Sequence, residues 1–241
     1  MIKTGFLLLL LILISTTVSV AGPEITIPVT DFDFGKTVQR TILTHDFWIK
    51  STGDEPLEIL HVEPGCGCTQ SWMSDTVIAP GDSARLHIVF STGRFRGNVA
   101  KRPYLLTNVS DEKVYLKIFA NLIVDTAGDL PAAVVPPIVD VSQFGDKPRR
   151  RARFTLENKS TGELKVSVAD SSGKSFTVKL PHEIKGGESI EGLITVDEDR
   201  VETGFEESIT IELTGTERVR YSVPVRRMFK GKITAEPGSG H

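Results

Sequence analysis

Leu43-Thr44-His45-Asp46-Phe47-Trp48-Ile49-Lys50 carries a clear β-strand signal. Leu43, His45, Phe47 and Ile49 alternate with Thr44, Asp46, Trp48 and Lys50, a period of two that predicts a half-buried strand. Working outward, Ser51-Thr52-Gly53-Asp54 is turn chemistry, and Pro56 opens the apolar run Leu57 to Val62. Ala79-Pro80-Gly81-Asp82 is a second turn. Leu86, Ile88 and Phe90 then alternate with Arg85, His87 and Val89, and further strands fit Val99 to Leu106 and Val114 to Val124. After residue 21 no segment carries a helical period.

The second half of the chain repeats the landmarks of the first. Phe34-Gly35 returns as Phe144-Gly145, Lys50-Ser51-Thr52-Gly53 as Lys159-Ser160-Thr161-Gly162, Gly81-Asp82-Ser83 as Gly187-Glu188-Ser189, and Gly97 as Gly204. Four landmarks in order at near-constant offset indicate a duplication. Short strands with turn signals every 8 to 12 residues are the pattern of an antiparallel sandwich. The expected fold is all-β: two tandem immunoglobulin-like antiparallel β-sandwiches after an N-terminal signal peptide. The expected boundaries are a signal at 1–21, a first sandwich at 22–125, a linker at 126–136, a second sandwich at 137–235 and a flexible tail at 236–241. The Cys…Trp…Cys pattern of antibody domains is absent.

Lys3, the apolar run Phe6 to Ile14 and the small residues of Ser19-Val20-Ala21 predict a signal peptide cleaved after Ala21. The run is short for a membrane span, and the mature chain holds no other candidate. The net charge of −3 over 241 residues points to neither a polyanionic nor a polycationic partner. Export argues against nucleic acid. The triplets Asn108-Val109-Ser110 and Asn158-Lys159-Ser160 match a glycosylation acceptor that matters only in a host with the machinery.

Gly65-Cys66-Gly67-Cys68-Thr69 holds the chain's only two cysteines. An extended chain would place their Cα atoms about 6.6 Å apart, near the upper edge for a disulfide. Glycines on either side permit a tighter turn. As a staple such a bridge is weak, because stabilisation grows with the loop closed. The pair therefore reads as a local disulfide or buried pair, as a redox dithiol in an oxidising compartment, or as a soft site for Cu(I). His61, five residues before Cys66, and His45 are the candidate third ligands; His45 has core parity, whereas His87 shares parity with Arg85 and reads as solvated. At an offset of about 106 residues the motif falls on Ser172-Gly173-Lys174-Ser175, so the second copy keeps the turn without the thiols. That segment resembles the end of a phosphate-binding loop but has Val168 where an earlier glycine is needed.

The first repeat resembles the domain-of-unknown-function 1573 (DUF1573) family, exported bacterial immunoglobulin-like domains related to the hydin-type sandwiches. The resemblance spans about residues 27–124. It rests on Phe32-Asp33-Phe34-Gly35, His45 to Lys50, Thr52-Gly53-Asp54, Pro56 to Ile59, Cys66-Gly67-Cys68-Thr69 and Pro80-Gly81-Asp82. Ser51 departs from the Asn usual in the family. The resemblance implies fold and export, and no agreed activity.

Trp48 and Trp72 are candidates for an exposed aromatic binding surface. Trp48 is the better by its polar-face parity, against the alternative that it is buried under the second domain. Arg149, Arg150 and Arg151, in the basic run Lys147 to Arg153, are candidates for meeting an acidic surface; the competing reading is a solvated edge strand. No nucleophile elbow, His-Glu-x-x-His motif or calcium loop is present. The expectation is an exported non-catalytic binding or scaffolding protein of the bacterial cell envelope. Its partner would be another envelope or extracellular protein, with no cofactor. The alternative is a periplasmic thiol protein using Cys66 and Cys68 for redox exchange or Cu(I). The sequence sets no oligomeric state.

Overall fold

A computed structural model describes residues 22–123, 131–170 and 174–230. The expected signal, the tail, residues 124–130 of the linker region, and Ser172 and Gly173 lie outside the described residues. The first half holds β1 (Ile25–Thr26), β2 (Asp31–Val38), β3 (Ile42–Ser51), β4 (Leu57–Glu63), β5 (Thr69–Met73), β6 (Val77–Ile78), β7 (Ser83–Ser91), β8 (Gly97–Lys101), β9 (Tyr104–Thr107), β10 (Ser110–Tyr115) and β11 (Lys117–Ile123). The second holds β12 (Ala132–Val135), β13 (Val139–Asp140), β14 (Gln143–Phe144), β15 (Arg151–Asn158), β16 (Leu164–Asp170), β17 (Phe176–Lys179), β18 (Glu183–Ile184), β19 (Ser189–Val196), β20 (Phe205–Thr214), β21 (Arg218–Arg227) and β22 (Phe229–Lys230). Among the described residues the regular structure is strand apart from one 3-10 turn at Glu198–Arg200.

The duplication is visible in the strand order. One sheet runs β1-β3-β7-β5 in the first half, and its counterpart runs β12-β15-β19-β17 in the second. Opposite them, β4 lies between β6 and β9, as β16 lies between β18 and β20. The copies differ in two long strands. β20 and β21 are continuous, whereas the runs expected at Val99–Leu106 and Val114–Val124 are each split, into β8 and β9 and into β10 and β11. At the breaks the Leu116 amide turns aside to donate to the Pro103 carbonyl; a proline alone does not end a strand here, since Pro224 lies inside the continuous β21.

Each half buries its own apolar set. Phe34, Leu43, Phe47, Leu86 and Phe90 fill the first core; Phe154, Leu156, Ile194, Ile209 and Val225 fill the second. Each such side chain stabilises by about 1.5–3 kcal/mol relative to exposure. Ala132 belongs to the second core, so the part of the expected linker from Ala132 to Val135 is a strand paired to β15.

The halves are joined by a shared sheet of order β18-β16-β20-β21-β2-β11-β8. Its crossing point is the parallel pairing of Lys36 in β2 with Tyr221 in β21. The Ser222 hydroxyl donates to the Phe34 carbonyl at 2.7 Å. Gly35 makes this approach feasible: its φ is +67°, and a Cβ there would sit 2.1 Å from the Arg220 carbonyl oxygen.

Candidate functional site

The outward face of β3-β7-β5 carries both tryptophans. In register, Asp46 lies opposite His87 and Trp48 opposite Arg85, while Trp72 lies opposite His87. Inward alternation gives Phe47, Ile49, Leu86 and Ile88 to the core, which leaves this row on the outer surface. Trp48 is 47% exposed and Trp72 is 51% exposed. The polar-face parity of Trp48 thus puts it in solvent and not beneath the second half.

Between the indoles is a fixed polar strip. Asp46 has a fully buried side chain, satisfied by His87 Nδ1 and by Arg85 Nη1 at 3.4 Å. The Trp72 and His87 ring centroids are 4.5 Å apart. His87, expected to be solvated, is buried. Its parity is outward as read, but Asp46 and Trp72 wall it in from the neighbouring strands. The sequence shows parity along one strand and not the register that sets neighbours across a sheet.

Thr44, on the same face, is covered by the second half. The Thr44 amide donates to Ser208 Oγ at 2.9 Å, and the Ser208 amide returns a bond to Thr44 Oγ1 at 3.1 Å. Lys174 Nζ, fully buried, donates to the Thr44 carbonyl and hydroxyl, both at 2.9 Å, and lies 3.5 Å from Asp170. His45 Nδ1 is 2.7 Å from Asp170 Oδ2, and its ring stacks on Phe32 at 3.6 Å. Burial alone would raise the Asp170 carboxyl, but the His45 hydrogen bond and the charge of Lys174 outweigh it and hold the group below its ordinary value. A cleft of about 340 Å³ opens beside this junction, lined by Val29, Asp31, Trp48, Asp170 and Arg220 among others.

The remaining sequence candidates lie apart. Cys66 and Cys68 are joined as a disulfide in the turn before β5, with Cα atoms 5.2 Å apart. Thr69 Oγ1 is 3.2 Å from Cys66 Sγ, and Cys68 packs on the first core. His61 is exposed and lies 3.6 Å from Glu63; His45 is committed to Asp170 at the junction. The structure does not gather these four residues: among the described residues no group of three or more His, Cys, Asp and Glu side chains is placed to hold a metal. Of the basic run, Arg149 donates to the Asp140 carbonyl at 3.1 Å, Arg150 pairs with Glu198 at 3.3 Å, and Arg151 is exposed on β15. Asn158, in one glycosylation triplet, is buried with its amide donated to the Gly162 and Ile184 carbonyls.

Sequence reasoning missed Asp46, Asp170 and Lys174. Asp46 had a weak signal, a carboxylate inside a strongly apolar strand. Lys174 and Asp170 pair with each other four residues apart, but their partners in the first half, Thr44 and His45, are more than a hundred residues away in sequence, and no local pattern points to them.

Residues 25–122 match the model of a family described as "Protein of unknown function (DUF1573)", which bears out the resemblance read from the motifs. No curated protein matches the chain. Among solved structures the chain is similar to a protein of unknown function from Porphyromonas gingivalis W83 at 10% identity, covering 85% of this chain and 99% of that one with a TM-score of 0.34. It is also similar to the CupB2 chaperone of Pseudomonas aeruginosa at 10% identity, covering 82% and 99% with a TM-score of 0.29. A third, domains 5-6 of the S-layer protein SbsC, aligns at 11% identity over 87% and 99% with a TM-score of 0.27. Likeness at these scores leaves the architecture to be read from this chain's own strands. Among the described residues no helix is long and apolar enough to cross a membrane.

Proposed function

We propose that this chain, whose residues 25–122 match the DUF1573 family, is an exported, non-catalytic binding or scaffolding protein of the cell envelope. The observation that carries the reading is that both tryptophans stand half-exposed on one sheet face, with Trp48 lining the cleft between the halves. Large aromatic side chains left in water on a strand face are costly unless covered by a partner. The polar groups between them are already oriented by Asp46, so a ligand would meet a preorganised surface. Export follows from the N-terminal pattern of Lys3, Phe6 to Ile14 and Ala21.

The test is co-sedimentation of the mature chain with the envelope fraction of the producing cell. Retention is expected, lost in Trp48→Ala with Trp72→Ala and kept in Cys66→Ser with Cys68→Ser. Retention or activity that follows the cysteines and ignores the tryptophans would move the function to the thiols.

A further inference from the structure

We infer that the Trp48–Trp72 face binds a neutral polysaccharide, an inference that rests on the binding reading above and names its ligand class. Three observations converge. First, the two indoles are spaced for an extended ligand. They are two strands apart and offset by two residues along β7, from Arg85 to His87, which puts their Cα atoms about 12 Å apart at ordinary sheet spacings. That is a span for a short run of sugar rings. The C–H faces of pyranoses are apolar and flat, and they stack on an aromatic plane while their hydroxyls point sideways.

Second, what lies sideways is suited to hydroxyls. The His87 ring and the Arg85 guanidinium stand between the indoles, each tied to the buried Asp46 carboxylate. The Arg85 charge is answered from below by Asp46, so the strip has polar groups at its surface without a strong net field that would select a polyanion. Gln70 lies exposed on the same face of β5, an amide that both donates and accepts.

Third, the surroundings disfavour a protein partner. A stable protein interface needs about 800 Å² from each side around an apolar centre. Here two large apolar side chains are separated by a charged pair, and the cleft next to Trp48 sets Asp31, Asp170 and Arg220 among apolar neighbours such as Val29 and Phe32. A cleft of about 340 Å³ suits a branch or a chain end better than a packed protein surface.

The chain has only these two tryptophans, so its intrinsic fluorescence reports on this face alone. The mature protein is titrated with soluble β-glucan, xylan and mannan, and with protein-free neutral polysaccharide prepared from the producing cell's envelope by protease digestion and anion-exchange flow-through. A saturable fluorescence change is expected with at least one. Each of Trp48→Ala and Trp72→Ala should weaken binding about tenfold or more, read by retardation in polysaccharide-containing gels. The conservative Trp48→Phe should recover most of it. No fluorescence change with any of these probes overturns the inference, as does binding that neither tryptophan substitution alters. If the envelope pellet still retains the protein in a tryptophan-dependent way while every polysaccharide is silent, the binding reading stands and the ligand class falls. If neither binds, both fall.

Discussion

The connections that follow the corresponding strands β4 and β16 have gone to different uses. Between β4 and β5 the first half closes its turn with the Cys66–Cys68 disulfide. Between β16 and β17 the second half places Lys174, whose buried ammonium reaches back to Thr44 of the first half. The strands that receive such a contact differ as well. Strand pairing shifts the copies by two residues from the Lys50-Ser51 to Lys159-Ser160 match of the sequences: Ser51 lies opposite Ile25 and Asn158 opposite Ala132, so Thr44, His45 and Asp46 of β3 correspond to Arg151, Ala152 and Arg153 of β15. The first half thus offers a hydroxyl and a carboxylate flanking a histidine where the second offers two exposed arginines flanking an alanine. Charged edge strands resist a further neighbour. Duplication kept the scaffold and altered the ends, so that the second half lacks the residues that receive this contact in the first.

The sharpest test of that comparison is the paired glycine landmark. Gly35→Ala would push a Cβ into the Arg220 carbonyl at a positive φ, and should cost about 3–4 kcal/mol. Gly145→Ala meets open space at φ +85° and should cost only about 1 kcal/mol. Urea midpoints of the two variants decide it; equal losses would mean the shared sheet contributes little. Next, Lys174→Ala removes the cation from a buried cluster and should cost about 3 kcal/mol. It should also increase proteolysis at the junction, and a variant that unfolds like the parent would break the contrast between the turns.

Asp170→Asn should cost about 2 kcal/mol at neutral pH. Its sign with pH is fixed by the lowered carboxyl. The ionised group stabilises the fold fully above its ordinary value of 3.8 and loses that contribution as pH falls through the lower folded value. The parent's acid limb should therefore be steeper than the variant's, as followed by circular dichroism from pH 5 to about 2. The smallest effect belongs to the thiols. Cys66→Ser with Cys68→Ser opens a very short loop and should cost about 1–2 kcal/mol, read from thermal melts with and without reductant.

Much of the architecture was legible in the sequence because alternation along a strand is a local property. Leu43, Phe47 and Ile49 point inward, Trp48 outward, and His45 inward, all as their parity requires. The repeat was legible because turn glycines keep their order. The splits near Pro103 and Leu116 were not legible, because a proline is no sufficient sign of a break in a chain whose β21 runs unbroken through Pro224. The site was less legible. His87 has outward parity and is nevertheless enclosed, because its surroundings are set by Asp46 and Trp72 on other strands. The junction of Thr44 with Lys174 and Ser208 joins segments that no local pattern connects.

The pairing of Lys36 with Tyr221 also orders events in time. A chain made from its N-terminus has all of β2 long before β21 exists, so the first half can fill its core early but cannot complete the shared sheet. Closing so distant a contact is slow and comes after local pairings. Until β21 arrives, β2 is an open edge, unprotected on the side that the last long strand will cover. The newly made protein is therefore most vulnerable to mispairing in the interval before its final residues emerge, and a truncation before Arg218 would make that interval permanent.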